Sequence, residues 1–450
     1  MKTTNMTINN ENQEKINNVL DRNQQTGKAL ATYNNLMYVL ENDHNYSGRI
    51  RYNTLTMTIE IQDGGYWAPI TDNDLIDFSA AWEMLYAGNK VTKDTAFSAF
   101  SLVARKNPVN PIRDYVLSLP KWDGNERIPE FVTNVMGAEQ TWYNVQALQT
   151  FMTGMIARAL VPGIKFDYIL TLQGPQGCGK STLLSRLVQG VAGGYDTLTS
   201  IGSKDDIMHF QGRWLVELGE LIALKGKLAT ERLKEFIARQ TDTFRAPYDR
   251  LEKSCDRVVC FAATTNEIEF IADRTGNRRW LPIHCGVVDN DAIKNFLFSK
   301  DVEYRKNYIT QLWAEVFEYF KIMNPNWKSD MDKNRKNNGN YNYNDIIWDG
   351  LELSAKAEKE RKRICEGCEI SDPMEDDIIN YISNTDGDYY ICGKQVWEKM
   401  LHRSGQDYDQ KTAREINTIL QKHFGMGKRM TVPGYGQQRK AYYVPAGYQG

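Results

Sequence analysis

Gly174-Pro175-Gln176-Gly177-Cys178-Gly179-Lys180-Ser181 constrains this chain more than any other stretch. It satisfies G-x-x-x-x-G-K-[ST] at every defined position. Before it, Tyr168-Ile169-Leu170-Thr171-Leu172 is a short apolar run with the character of a buried strand. After it, Ser181 to Val188 carries apolar residues at helical spacing. A glycine-rich turn that binds nothing is the competing reading, and the flanking strand and helix argue against it. The glycines let backbone N–H groups converge on phosphates, and the helix N-terminus favours negative charge. Gly174, Gln176, Gly177, Cys178, Gly179, Lys180, Ser181 and Thr182 are therefore the expected ATP cradle. Lys180 is expected on the β- and γ-phosphates and the Ser181 hydroxyl on Mg²⁺. The expected fold class is α/β, a P-loop NTPase core.

The chain has 450 residues, too many for one core, and two to four domains are expected. Its 55 basic and 57 acidic side chains nearly cancel, so a nucleic-acid surface, if present, is local. From Asp409 to Gly450, seven Lys and Arg stand against Asp409 and Glu415, a local excess of +5. No apolar run approaches the roughly 20 residues that span a bilayer. The N-terminus lacks an apolar signal core, and seven dispersed cysteines suit a reducing compartment, so the cytoplasm is the expected location and no membrane partner is expected.

Composition and periodicity divide the chain as follows. Residues 1–27 read as a disordered leader, rich in Asn, Gln and Thr at its start, and 28–105 as a small α+β module with a helix over Asp72–Tyr86. Residues 106–165 read as a helical collar, with helices over 112–119 and most of 131–159. The ATPase core is expected over 166–325, and a polar linker with a charged helix near 351–363 over 326–372. Residues 373–450 hold three helical patterns and two strand-like runs joined by Pro433-Gly434-Tyr435-Gly436, the ingredients of a winged helix. Lys428, Arg429, Arg439 and Lys440 flank the proposed wing and are expected on duplex DNA phosphates. A lid that packs only on its own ATPase is the alternative.

The rest of the nucleotide site is read from order along the chain. Trp214-Leu215-Val216 ends in Glu217, with Glu220 three residues on; a strand-end carboxylate suits Mg²⁺ and a second suits orienting the attacking water. The two share these roles without assignment between them. Arg257 to Asn266 reads as a strand ending in an amide suited to sensing the γ-phosphate. Arg278 and Arg279 lie on a glycine-containing turn that suits an arginine finger supplied by a neighbouring subunit; surface ion pairing is the alternative. The stretch 233–253 mixes bases and aromatics, so Lys234, Arg245, Tyr248, Arg250 and Lys253 are candidate DNA contacts in a channel, against the alternative of an ordinary amphipathic helix and turn. Cys365-Glu366-Gly367-Cys368 has half a zinc site's spacing and no second pair nearby, so no metal is expected there.

Asn110-Pro111-Ile112-Arg113-Asp114-Tyr115, Trp122-Asp123-Gly124, the glycine loop, Trp214 to Glu220, Leu233-Lys234-Glu235-Phe236, Arg245-Ala246-Pro247-Tyr248 and Thr275 to Arg279 together resemble the virulence-associated protein E family, carried by phages, prophages and pathogenicity islands. The resemblance covers about 106–325. It implies a superfamily 3, AAA+-type helicase or replication initiator that forms a hexameric ring around DNA, with host replication proteins as possible partners. Lys180 and Ser181 match Walker A, Glu217 and Glu220 the Walker B region, Lys234 the motif after it, Asn266 the sensor, and Arg278 and Arg279 the finger region. The paired acidic ending of Walker B is replaced here by Glu-x-x-Glu. Many relatives carry a primase domain; residues 1–105 are too short for one and show no carboxylate triad, so helicase without primase is expected. Two further readings compete: an ATP-dependent origin-binding switch that does not unwind, and a small-molecule kinase using the same loop.

Overall fold

In the computed structural model the described residues are 10–191, 193–198, 210–219, 227–244, 253–271, 274–286, 302–336, 346–370, 373–385, 387–404, 407–435 and 438–448. The chain forms two compact units, Met1–Ile268 with Asp273–Glu366, and Glu269–Ala272 with Gly367–Gly450.

Among the described residues, the first element of the first unit is α1 (Asn10–Asn17), within the stretch expected to be a leader. Ile16 on this helix and Leu20 after it are buried in the N-terminal core. Two apolar side chains four residues apart suffice to dock so short a helix once a partner surface exists. Then come α2 (Tyr33–Asn42), the antiparallel strands β1 (Ile50–Asn53), β2 (Thr58–Asp63) and β3 (Tyr66–Pro69), α3 (Asp72–Tyr86), α4 (Lys93–Lys106) and β4 (Pro108–Val109). The helix expected over Asp72–Tyr86 forms over those residues. Phe78, Trp82 and Phe100 fill this core, and the Phe78 and Phe100 rings meet edge to face at 5.3 Å.

After α5 (Pro111–Leu117) and a short turn, α6 (Ile128–Glu130), comes α7 (Trp142–Leu160). The helical pattern of 131–159 breaks because Gly137 takes a left-handed φ of 62° and Thr141 caps the next helix by accepting from the Asn144 N–H at 3.0 Å. Nearly every side chain of α7 from Ala147 onward is buried. The parallel sheet that follows has five strands: β5 (Ile169–Gln173), β6 (Tyr195–Leu198), β7 (Leu215–Leu218), β10 (Cys260–Thr265) and β11 (Trp280–His284), in the order β11-β5-β10-β7-β6. All four pairings are parallel. The helices around it are α8 (Lys180–Leu187), α9 (Lys227–Ala238), α10 (Val302–Met323), α11 (Trp327–Lys336) and α12 (Ala355–Gly367). An indole pair locks these layers: Trp214 stacks on Trp313 at 4.4 Å, and their N–H groups donate to the carbonyls of Met155 and Leu187. Helix α11 lies where a polar linker was expected; Trp327 and Met331, four residues apart, are its buried side.

A separate hairpin, β8 (Thr241–Phe244) with β9 (Lys253–Asp256), leaves the sheet between α9 and β10. Its base holds a buried ion pair. Arg257 and Asp242 are 2% and 3% exposed, and the guanidinium forks onto both carboxylate oxygens. The guanidinium also donates to the Phe236 carbonyl on α9 and lies against the Phe210, Phe236 and Phe261 rings.

Glu315 on α10 accepts from the Arg127 N–H at 2.6 Å, at the start of α6, and so ties the Trp122-Asp123-Gly124 loop to the core. Burial pushes its carboxyl up to about 7. An unfolded glutamate ionises near 4.3, so between that value and about 7 the unfolded chain has lost a proton that the folded chain keeps. Stability from this group is full below the lower value and falls as pH rises, by about 1.4 kcal/mol per pH unit across the window. Urea unfolding from pH 5 to pH 8 should show this decline in the wild type and a shallower one in Glu315→Gln. Identical pH profiles would show that Glu315 keeps an ordinary ionisation.

The second unit packs α13 (Pro373–Ser383), α14 (Gly393–Gln395, running on to Met400) and α15 (Gln410–Phe424) against an antiparallel sheet. That sheet is β12 (Tyr389–Cys392), β14 (Arg439–Val444) and β13 (Lys428–Met430), in this order. Ile378, Ile391, Val396, Ile416, Leu420 and Tyr442 are its core. No described helix in either unit is long and apolar enough to cross a membrane.

Candidate nucleotide site

The strand order places the chemistry. Strand β10 lies between β5, which feeds the glycine loop, and β7, which ends near Glu217. Thr265 pairs with Gln173 and Ala262 with Glu217, so the C-terminal ends of three neighbouring strands open on one side. Gly174 leaves β5 so close to the next strand that a Cβ there would lie 2.1 Å from the Cys285 carbonyl oxygen. Gly179 adopts φ +90°, a conformation that L side chains rarely take, directly before α8 begins at Lys180. Backbone geometry thus demands these glycines whether or not nucleotide is bound.

Lys180 is 9% exposed. Its ammonium donates to the carbonyls of Gly174 at 2.7 Å and Pro175 at 2.8 Å and to Asn266 Oδ1 at 2.9 Å. Three donors are thus gathered inside the loop, and an anion reaching it would meet a cation already held in place. The Asn266 contact spans 86 residues of sequence. On α8, Ser181 Oγ donates to Glu217 Oε1 at 2.7 Å. Glu217 is 3% exposed, and Thr264 and Tyr195 also donate to its two oxygens. Burial and the bond to Glu217 push the Tyr195 phenol up, which keeps it a donor. Tyr195 and Thr264 escaped sequence reasoning. Thr264 stands two residues before Asn266 and was legible as a strand-end hydroxyl, whereas nothing local marks Tyr195.

These residues suit a Mg²⁺-bound nucleoside triphosphate. The loop offers backbone N–H groups and a helix start, Lys180 a held cation, and Ser181 with Glu217 a hydroxyl–carboxylate pair of hard oxygens. Gln176 and Gly177 are exposed at the loop's tip, while Cys178 and Thr182 are half-buried. Glu220 lies outside the described residues, as do Arg245, Tyr248 and Arg250. Lys253 opens β9, and Lys234 sits half-buried on α9.

The arginine turn stands elsewhere. Arg274–Arg279 is a 3-10 turn that leads into β11. Trp280 pairs with Ile169 and His284 with Gln173, so the turn enters at the N-terminal edge of the sheet. The glycine loop lies at the C-terminal edge, a strand's length away, or roughly 13 Å at about 3.3 Å per residue. Arg279 forms an ion pair with Asp167 at 3.1 Å on that same edge, whereas Arg278 is exposed. Helix α12 braces the turn: the buried Arg361 forks onto Glu358 at 2.7 and 2.8 Å and donates to the Asn277 carbonyl at 2.5 Å.

On the second unit, Lys428, Arg429 and Lys440 are exposed on the β13–β14 hairpin, with Arg429 directly opposite Lys440. Arg439 is half-buried and donates to the Tyr435 carbonyl at 3.1 Å.

Comparison with known proteins gives two kinds of likeness. None of the curated proteins matches the chain. Among solved structures, the apo A form of the NrS-1 C-terminal region is 13% identical, with a TM-score of 0.49, over 88% of this chain and 95% of that one. A JCV helicase structure is 13% identical, with a TM-score of 0.25, over 65% of this chain and 86% of that one. The sequence model of the virulence-associated protein E-like domain matches residues 116–345. That span is just over half of the chain and holds the glycine loop, Glu217, Asn266, Arg278 and Arg279, so the chain belongs to the virulence-associated protein E-like domain family.

Proposed function

We infer that this protein is an ATP-dependent DNA helicase or replication initiator of a mobile genetic element, working as a homo-hexameric ring on single-stranded DNA. The observation that carries the reading is the division of charged groups between two edges of one sheet. Lys180, Ser181, Glu217 and Asn266 converge at the C-terminal edge, while Arg278 is exposed at the other. An arginine a strand's length from its own loop suits a site completed by the next subunit, and ring assembly supplies one. A small-molecule kinase would need its cations inside its own pocket. The names of the compared structures, a JCV helicase and the NrS-1 C-terminal region, are compatible with this reading.

Each group then has a role. Lys180 binds the β- and γ-phosphates, with the loop N–H groups around them. Ser181 and Glu217 hold the Mg²⁺, which neutralises the triphosphate charge. Asn266, and Glu220 with Glu217, position the attacking water. Arg278 acts as the finger across the interface, and Arg279 anchors the turn through Asp167. Lys234, Arg245, Tyr248, Arg250 and Lys253 are proposed DNA contacts. The second unit, read as a winged helix, would meet duplex phosphates through Lys428, Arg429 and Lys440, with Arg439 shaping the hairpin.

ATPase stimulation by single-stranded DNA, followed by strand displacement, tests the reading. Stimulation with displacement supports it; assembly without displacement favours an ATP-dependent origin-binding switch. A further expectation concerns mixtures. Arg278→Ala should bind ATP but hydrolyse it at least about tenfold more slowly. Mixing it with Lys180→Ala subunits should restore part of the rate, because intact composite sites form. A wild-type ATPase that is monomeric and independent of concentration would rule this arrangement out.

A further inference from the structure

Helix α12 has two contrasting sides. Ala357, Arg361 and Cys365, spaced by four, are buried. Lys356, Lys359, Lys362 and Arg363 are exposed on the rest of its surface. Arg363 pairs with Glu360 at 2.6 Å and Lys362 acts on the nearby Glu358 carboxylate, while among the described residues no ion pair holds Lys356 or Lys359. These lysines, with Arg363 and the carboxylates of Glu360 and Glu366, line an open cavity of about 680 Å³ whose other wall is the start of α7. There Trp142 is 61% exposed, an unusual state for the largest apolar side chain, and the Lys356 ammonium lies 5.5 Å from its ring centre. The two walls are fixed to each other. Ser354 caps α12 by accepting from the Ala357 N–H, and its hydroxyl also bonds to Gln146 on α7 at 2.7 Å. The basic wall lies beyond the family match, which ends at residue 345.

We propose that this cavity is a binding site for single-stranded nucleic acid: a base stacks on Trp142 while Lys356, Lys359 and Lys362 take consecutive phosphates. An indole face can stack only on a base that is free of its duplex partner, so the geometry selects single strands over double. A ladder of lysines at three-residue intervals rises about 4.5 Å per step along the helix, which follows a backbone and does not converge on one anion. No residue of the nucleotide loop lines the cavity. It rests on the helicase reading only for the choice of DNA as the strand.

The test is fluorescence anisotropy of a labelled 20-nucleotide oligo-dT with the full-length chain, without nucleotide, across a salt series. The triple variant Lys356→Gln/Lys359→Gln/Lys362→Gln should bind at least about tenfold more weakly and lose about 2 from the magnitude of the log–log salt slope, near 0.7 per phosphate contact. Trp142→Ala should lose about tenfold for oligo-dT and nothing for inorganic polyphosphate, and Trp142→Phe should recover most of the loss. Unstimulated ATP hydrolysis at the wild-type rate shows that each variant is folded. Unchanged oligo-dT binding by either variant overturns the proposal, as does a Trp142→Ala loss equal for oligo-dT and polyphosphate. Competition by an oligo-U of the same length that matches oligo-dT would move the assignment to RNA and overturn the DNA choice. Failure of strand displacement with these binding effects intact would refute the helicase reading and leave this site standing.

Discussion

Lys180→Ala is expected to lower ATP hydrolysis by at least about a hundredfold, the scale on which preorganised charge contacts act in a water-poor site. Lys180 is nearly buried, and its three donors point at the carbonyls of Gly174 and Pro175 and at Asn266. Alanine removes a cation held inside the loop. The cradle itself persists, because it rests on the close approach of Gly174 to Cys285 and the left-handed φ of Gly179, both backbone properties. The variant should therefore unfold at close to the wild-type denaturant concentration while its turnover collapses. A variant that kept more than about a tenth of wild-type turnover would show that the chemistry lies elsewhere, since such contacts carry several kcal/mol. Glu217→Gln makes a useful companion, because its amide can still meet Ser181, Thr264 and Tyr195 but carries no charge for Mg²⁺.

The second large effect is on stability. Arg257→Ala is expected to cost about 3–5 kcal/mol, because it leaves the Asp242 carboxylate buried without its partner. Asp242 is 3% exposed, and removing Arg257 also strips the cation from among three phenylalanine rings and a donor from the Phe236 carbonyl. The pair as a unit is a different matter. Replacing both residues by apolar side chains of similar size should cost much less than the sum of the single changes, since desolvation of both charges is then relieved together. Denaturant unfolding of the two single variants and of Asp242→Leu/Arg257→Met measures this directly. A loss below about 1 kcal/mol for Arg257→Ala would show that the pair is far more hydrated than its burial implies. Because the pair joins the β8–β9 hairpin to α9, milder variants such as Arg257→Lys should loosen that hairpin first and lower stimulation by single-stranded DNA before they lower basal hydrolysis.

Local chemistry along the chain determined much of this protein. The glycine loop with its strand and helix, the helix over Asp72–Tyr86, and the helix–hairpin pattern of the last eighty residues are all written in short-range terms: spacing, caps and turn residues. Glu217 and Asn266 were legible too, as polar residues that end apolar runs. The periodicity of short segments fails where burial is decided by a distant partner. Ile16 and Leu20 dock a segment whose start is polar, and Trp327 with Met331 makes a helix of an expected linker.

Only the tertiary structure decided how these pieces meet. No local pattern says that β10 inserts between β5 and β7, yet that insertion brings Asn266 to Lys180 across 86 residues and lets Thr264 reach Glu217. Tyr195 joins the same carboxylate because its edge strand β6 pairs with β7 on the other side. Arg278 and Arg279 are adjacent and chemically equal in the sequence. They part because Asp167, at the entry to β5, lies beside the entry to β11 and takes one of them. The Trp142–lysine cavity likewise joins α7 to α12, two helices far apart along the chain. Sequence specifies which groups can pair at short range. The order of strands in a sheet is set by the summed burial of all the layers, and it chooses which distant groups share a low-dielectric site.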